Sequence, residues 1–466
     1  MQISVDDLQK ILEKAIHSSY AEARYQRRVR NEIMVGNGEV EEAKSTRIEG
    51  VGFRVLVDGA WGFSSTNTTV SEVMMDSIDD AVKMAKISAT AQKKKSRLAE
   101  TKLSNGVFKP IINDPLEDHS LEEKMSLVIK TEFNTRGYFD AVKAASCSYR
   151  EIIDKKIIVT TDGASVEIIN SKPEFRITAI ALKNGDRVSA TEAAGVTGGW
   201  RDLFEKRSAE EMSRKAAETA KSILNAKHPK GERSKVILDP GMVGLIAHEA
   251  VGHTVEADFV LSGSIVKGKL GEKVASNLVT LVDSGLSDIV GGAAGTILVD
   301  DEGIPAGKTV VIKKGILESY LHNRETAAEF DVEPTGNARA FEYSDEPLIR
   351  MRNTYIEPGD YELDEMIQEI DHGYLLKGPR SGQADANGEF MFGAQEAYLI
   401  EKGEVKELLK GVTVSGRALD VLQTVDALGK EFSYDIGAGY CGKKQLAKVD
   451  GGGPYLRCES LIGGMQ

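Results

Sequence analysis

The stretch HEAVGHTVEAD, from His248 to Asp258, constrains the fold of this chain more than any other. Upstream stand Asp239 and Pro240, the residue types that open a helix as N-cap and first-turn residue. The run MVGLIAHEAVG that follows is apolar enough to be a helix buried in a core. Yet it carries His248, Glu249 and His253, with Glu256 and Asp258 close behind. Such side chains are costly to bury without partners. A metal ion is the simplest partner that would satisfy them together.

The spacing is His-Glu-x-x-x-His, one residue longer than the common metalloprotease signature His-Glu-x-x-His. On a regular helix, side chains at i and i+4 stand about 40° apart, whereas i and i+5 stand about 140° apart. The two imidazoles therefore meet at one ion only if the helix is irregular. A π-bulge adds one residue to a turn and would bring them together. Gly252, immediately before His253, would ease that distortion. On a regular helix the motif would be no more than two satisfied core histidines.

The rest of the chain is that of a globular protein. Its 466 residues suggest two or three domains. A net charge of −13 disfavours a nucleic-acid surface, and no apolar run is long enough to span a membrane. The N-terminus, MQISVDDLQKILEKA, is charged and amphipathic, with no export signal, which points to the cytoplasm. Three cysteines, Cys147, Cys441 and Cys458, are too few for a disulfide framework. In a reducing compartment a thiolate would be free to bind metal.

In chain order, a helical face at Leu8, Ile11, Leu12 and Ala15 precedes strands between Glu22 and Asn67. Helices are expected over Val70–Lys95, Leu121–Thr135 and Ala209–Asn225, with a strand-rich block at Ala141–Thr197. Asp162-Gly163 and Asn184-Gly185 are hairpin signals. The basic run KKKSR reads as a solvated helix end. The polar segment around His228 marks a boundary between domains 1–228 and 229–466. Beyond it, many short strands with glycine turns suggest a barrel-like sheet around the buried helix, with helix returning at Tyr361–Ile370 and Ala418–Leu428. The fold class is α+β: an N-terminal α+β domain with an antiparallel sheet, then a β-barrel-like domain around a metal-binding helix.

A catalytic zinc usually takes three protein ligands and leaves one position open. His17, His119 and His228 have the context of surface residues, while His322 and His372 remain candidates, as do Glu256 and Asp258. Cys441, in GAGYCGKKQ, looks set in a tight glycine turn where a thiolate can approach an ion, or else is a small buried hydrophobe. Cys458, in YLRCESL, fits a strand and plain packing better.

HEAVGHTVEAD resembles the zinc motif of the TldD/PmbA family of peptidases. The resemblance runs on through GVGFRVLVDGAWGFSSTN, VDDEG, PTGNARA, RMRNTYIEPGD, SGQADANGEFMFGAQEAYLIEKGEV and the terminal CGKKQ…GGGPYLR…LIGG, in order along essentially the whole chain. It implies a TldD-like subunit, with Zn2+ held by His248, His253 and Cys441 and with Glu249 as general base. It implies a dimer, with itself or with a paralogous subunit, and a substrate of unfolded or extended peptide admitted to an enclosed cavity. The continuation KKQLAKVDGGGPYL is more charged than is usual in the family, which bears on substrate preference.

On this reading the chain is a cytosolic zinc metallopeptidase. Zinc polarises the scissile carbonyl and activates a bound water as nucleophile. Glu249 takes the water's proton and later passes it to the leaving amine. Glu256 and Asp258 either orient the imidazoles or solvate a helix end. Two rival readings remain: a non-catalytic partner subunit, since some relatives were named as modulators of DNA gyrase, and a purely structural zinc site.

Overall fold

A computed structural model describes residues 3–112, 114–385 and 387–464. The first half is built on long hairpins. Asn37-Gly38 and Asp58-Gly59 adopt the left-handed backbone, with φ of 52° and 89° and of 48° and 76°. Two consecutive positive φ values make the tight turn that matches strand twist. They join β1 (Tyr20–Gly36), β2 (Glu39–Val57) and β3 (Ala60–Thr66). With β4 (Asn105–Phe108), β5 (Val142–Thr160), β6 (Ser165–Lys183) and β7 (Asp186–Gly195) they form one seven-stranded sheet.

Both faces of this sheet are covered, and by different chemistry. Ala21, Ala23 and Tyr25 of β1 pack beneath α1 (Val5–Leu12) and α2 (Ser71–Ala91). Further along, Ile33, Tyr149 and Phe175 pack beneath α3 (Leu121–Gly137) and the helix Ala209–Leu224. The alternate residues of β1, namely Glu22, Arg24, Gln26 and Arg28, are also buried. They face the C-terminal half, where Gln26 donates to Phe341 O and Arg54 of β2 reaches Glu302. This charged face is called the seam below.

In the second half, β8 (Glu232–Leu238), His372–Ala384, Glu389–Glu401, Val412–Arg417 and Asp450–Gly464 pair in turn and close on β8. The result is a closed barrel. Its apolar interior takes Met242, Val243, Ile246, Ala247, Ala250 and Val251 from the site helix, packed with Leu376, Phe392 and Leu456. Each large apolar side chain enclosed there contributes roughly 1.5–3 kcal/mol. Helix and barrel wall come unusually close at Gly244, where a Cβ would stand 2.5 Å from the backbone of Gly451. The helix expected over Ala418–Leu428 ends at Gln423, and the chain re-enters the sheet as strand Ala427–Tyr434 against Asp450–Gly464. No described helix is long and apolar enough to cross a membrane.

Candidate metal centre

The site helix starts as the sequence implies. The Asp239 side chain caps it by accepting from Met242 N at 2.9 Å, and Pro240 fills its first turn. After Leu245 the winding changes, and Ile246–Gly252 form a π-helix. The extra residue per turn brings His248 and His253 onto one side, with ring centroids 5.4 Å apart and planes at 80°. Gly252 itself has ordinary helical angles, φ −55° and ψ −46°. What it supplies is space rather than flexibility, because a Cβ there would lie 1.9 Å from Met351 Sδ.

Cys441 reaches the same point from a separate hairpin, Tyr440–Lys443 with Gln445–Lys448, where it stands opposite Ala447. The expected glycine turn is thus a short strand, and the turn falls at Lys444, with φ 60°. The hairpin is held from below by the buried Arg350, which donates to Cys441 O at 2.7 Å and to Gln445 O at 2.8 Å. One ligand atom each from His248, His253 and Cys441 lie within 4.8 Å of one another. A tetrahedral zinc sets its ligands roughly 3.3–3.8 Å apart. The Cys441 Sγ to His253 Nε2 distance is already 3.3 Å.

The electrostatics suit a cation. Burial pushes the Cys441 thiol up, but the imidazoles of His248 and His253 outweigh it and bring it down to about 4. Burial alone would push His253 down, yet Cys441 on one ring nitrogen and Glu256 on the other hold it up at about 10. Without an ion the pair is therefore a thiolate beside an imidazolium, and a metal would take the proton's place. Both ring nitrogens of His248 are buried without a hydrogen-bond partner among the described residues. An unsatisfied buried imidazole calls for an explanation, and two nitrogens with one thiolate form a donor set that fits zinc.

Glu256 is fully buried and accepts from His253 Nδ1 at 2.9 Å, leaving Nε2 to face the cluster. Glu249 is partly exposed, its Oε2 3.6 Å from His253 Nε2. Lys443 was not singled out from the sequence. It meets Asp258 at 2.7 Å and Glu256 at 3.4 Å, and so neutralises the acids behind His253. The available signal was its position two residues after Cys441, on the same face of a strand.

The remaining histidines lie elsewhere. His17 and His228 are exposed. His119 stacks on Trp200 and bonds Asp114. His322 is buried beside Phe330, with Thr326 at 3.1 Å, and His372 bonds Glu232. Cys458 lies in the barrel strand Asp450–Gly464, where burial pushes its thiol well up. Beside the site helix opens a cleft of about 1130 Å3, walled by Arg176, Leu245, Arg380, Met391 and Ala438 among others. It lies between β6–β7 and the barrel strands His372–Ala384 and Glu389–Glu401.

Three family models match the chain: PmbA/TldA metallopeptidase domain 1 over residues 21–89, the central domain over 114–224 and the C-terminal domain over 231–462. A metalloprotease of Methanocaldococcus jannaschii is 38% identical, covering 99% of this chain and 100% of the relative. The chain belongs to the PmbA/TldD metallopeptidase family. Another relative, from Saccharolobus solfataricus and named a zinc metalloprotease TldD homolog, is 28% identical over 98% of this chain and 99% of its own. Among solved structures, TldE from Thermococcus kodakarensis has a TM-score of 0.80 at 21% identity, with 99% of this chain and 100% of that one covered. A Thermotoga maritima protein described as a putative modulator of a DNA gyrase gives 0.80 at 22%, covering 98% and 99%. At those identities the likeness establishes the PmbA/TldD fold and nothing finer.

Proposed function

We propose that this chain is a zinc-dependent peptidase of the HExxxH type, acting on unfolded or extended peptides. The observation that carries the reading is the meeting of His248, His253 and Cys441 from two separate segments, with both His248 nitrogens without a hydrogen-bond partner among the described residues. Zinc bound there would supply Lewis acidity to a peptide carbonyl and to the attacking water.

The chain's own residues do the rest. Glu249, partly exposed beside His253, takes the proton of the attacking water and returns it to the leaving amine. Glu256 fixes the tautomer and orientation of His253, and Lys443 compensates the buried charge of Glu256. An extended peptide approaches through the cleft beside Leu245 and is held by its main chain, which suits sequence-tolerant recognition. The protein works in the cytosol as a dimer, with itself or with a paralogous subunit.

The test is zinc content together with cleavage of a denatured protein, with a chelator as control. One zinc per chain, lost in His248→Ala, and chelator-sensitive cleavage are expected. Full zinc in that variant would refute the ligand set. Zinc without turnover would leave a structural site or a non-catalytic partner subunit.

A further inference from the structure

Where β1, β5 and β6 face the C-terminal half, the seam holds a cavity of about 70 Å3. Five cationic side chains line it, Arg28, Lys156, Lys172, Arg339 and Lys448, against two carboxylates, Asp154 and Asp301. Asp154 accepts two bonds from Arg28, at 2.7 and 2.8 Å, and Asp301 accepts from Lys156 at 2.7 Å. Glu174, from outside the lining, pairs with Lys448. Lys172 and Arg339 are left without a carboxylate partner among the described residues, and both are buried.

Arg339 keeps its charge, while burial and the neighbouring Arg339 and Lys448 push Lys172 well below the usual lysine range, which an anion beside it would reverse. Lys172 Nζ has three acceptors: Thr197 Oγ1 at 2.9 Å, Ala294 O at 2.7 Å and Thr296 O at 2.9 Å. Thr197 Oγ1 itself lies 3.0 Å from Ala294 O, so the three acceptors suit an ammonium that donates all three bonds. Arg339 donates to Met351 O and Lys448 O and cannot lose its proton. Carbonyls satisfy these N–H groups but do not cancel the charge. A further carboxylate, Asp450, accepts from the amides of Ala294, Gly451 and Ile436 and offsets part of this charge from a distance, without a hydrogen bond to Lys172 or Arg339 among the described residues. Arg28 Nη1, also in this wall, is buried with no hydrogen-bond partner among the described residues. Cations gathered out of water without counter-charge are costly.

We propose that the cavity binds a small inorganic anion, which supplies the charge missing beside Lys172 and Arg339 and a hydrogen-bond partner for Arg28 Nη1. Its volume exceeds the ~10–15 Å3 that one water needs and suits a halide or a single tetrahedral oxyanion. The wall includes Ala447 and Lys448, so the anion also braces the hairpin in which Ala447 stands opposite Cys441.

The test uses the full chain, unfolded by heat at fixed ionic strength while gluconate, too bulky for the cavity, is exchanged for chloride or for phosphate. The wild type should gain a few degrees in a saturable manner, as ligand linkage requires. Whichever of chloride and phosphate saturates at lower concentration is the preferred ligand. Lys172→Met should lose the saturable gain and be more stable than the wild type in gluconate. Non-specific salt effects act on both proteins alike, so equal responses, or none, would overturn the proposal. Should Lys172→Met fail to fold, chloride-35 line widths of the wild type decide the matter. Saturable broadening removed by phosphate is expected, and since the chain carries a net charge of −13, its outer surface offers little competition. Absence of that broadening, together with no saturable stabilisation of the wild type by phosphate, would overturn the proposal as well.

Discussion

The barrel interior and the seam both bury charge, and they do so in opposite ways. In the barrel, polar groups are few and concentrated. An apolar helix presents two imidazoles and meets one thiolate, with Glu256 behind one of the rings. In the seam, polar groups are many and spread over three strands, mostly cancelled pair by pair, with cations in excess at one cavity. The contrast separates two uses of buried polarity. A concentrated set of ligand atoms is a site for chemistry. A distributed, paired set joins two halves and fixes their register, which an apolar contact would leave less defined.

If that division is right, changes at the two places should fail differently. The largest effect belongs to the barrel. Glu249→Gln should lower peptide cleavage by ~10²–10⁴-fold, the usual contribution of a general base, with zinc content and thermal stability unchanged. Near-normal cleavage would show that another residue takes the proton. In the seam the expected loss is of stability. Arg54 joins Glu22 at 2.9 Å to Glu302 at 2.8 Å across the two halves, with all three side chains almost wholly buried. Arg54→Leu would strand Glu302 and should cost about 3–5 kcal/mol in denaturant unfolding. A loss below 1 kcal/mol would mean that water reaches the seam.

The barrel site was largely legible in the sequence, and the seam was not. Asp239-Pro240 announced the helix start, and the five-residue step between His248 and His253 called for the π-turn that is found. That inference works because helix geometry is periodic and local. The seam depends on a different kind of fact. Glu22, Arg24, Gln26 and Arg28 alternate with apolar residues, the pattern of a strand with one wet face. Only the arrival of residues more than 250 positions away, such as Phe341 and Asp345, buries them. Cys441 shows the same limit. Its glycine neighbours suggested a turn, whereas the strand is made by its partner, Ala447.

A smaller effect tests how far the concentrated site extends. Glu256 is buried, touches His253 Nδ1 and is not one of the three clustered ligand residues. Losing such a partner typically lowers metal affinity 10–100-fold. Glu256→Ala should therefore weaken zinc by that order in a chelator competition, without the complete loss expected for His248→Ala. Unchanged affinity would reduce Glu256 to a solvation partner of Lys443.

The smallest effect separates two cysteines of the same barrel. Cys441 and Cys458 are both buried and both belong to the main apolar cluster. Their surroundings differ: Cys441 has His253 Nε2 at 3.3 Å, while Cys458 stands opposite Val236 in the wall. The imidazoles bring the first thiol down to about 4, and burial drives the second well up. A thiolate binds metal and a neutral thiol is a small hydrophobe. Cys458→Ala should cost on the order of 1 kcal/mol, as for deletion of one heavy atom in a core, and leave zinc and cleavage as they were. Cys441→Ala should release the zinc. The two variants are to be measured side by side, since both lose the same atom from the same core. Zinc lost from Cys458→Ala and retained in Cys441→Ala would reverse the assignment, and the barrel would then hold its metal from the wall rather than from the hairpin.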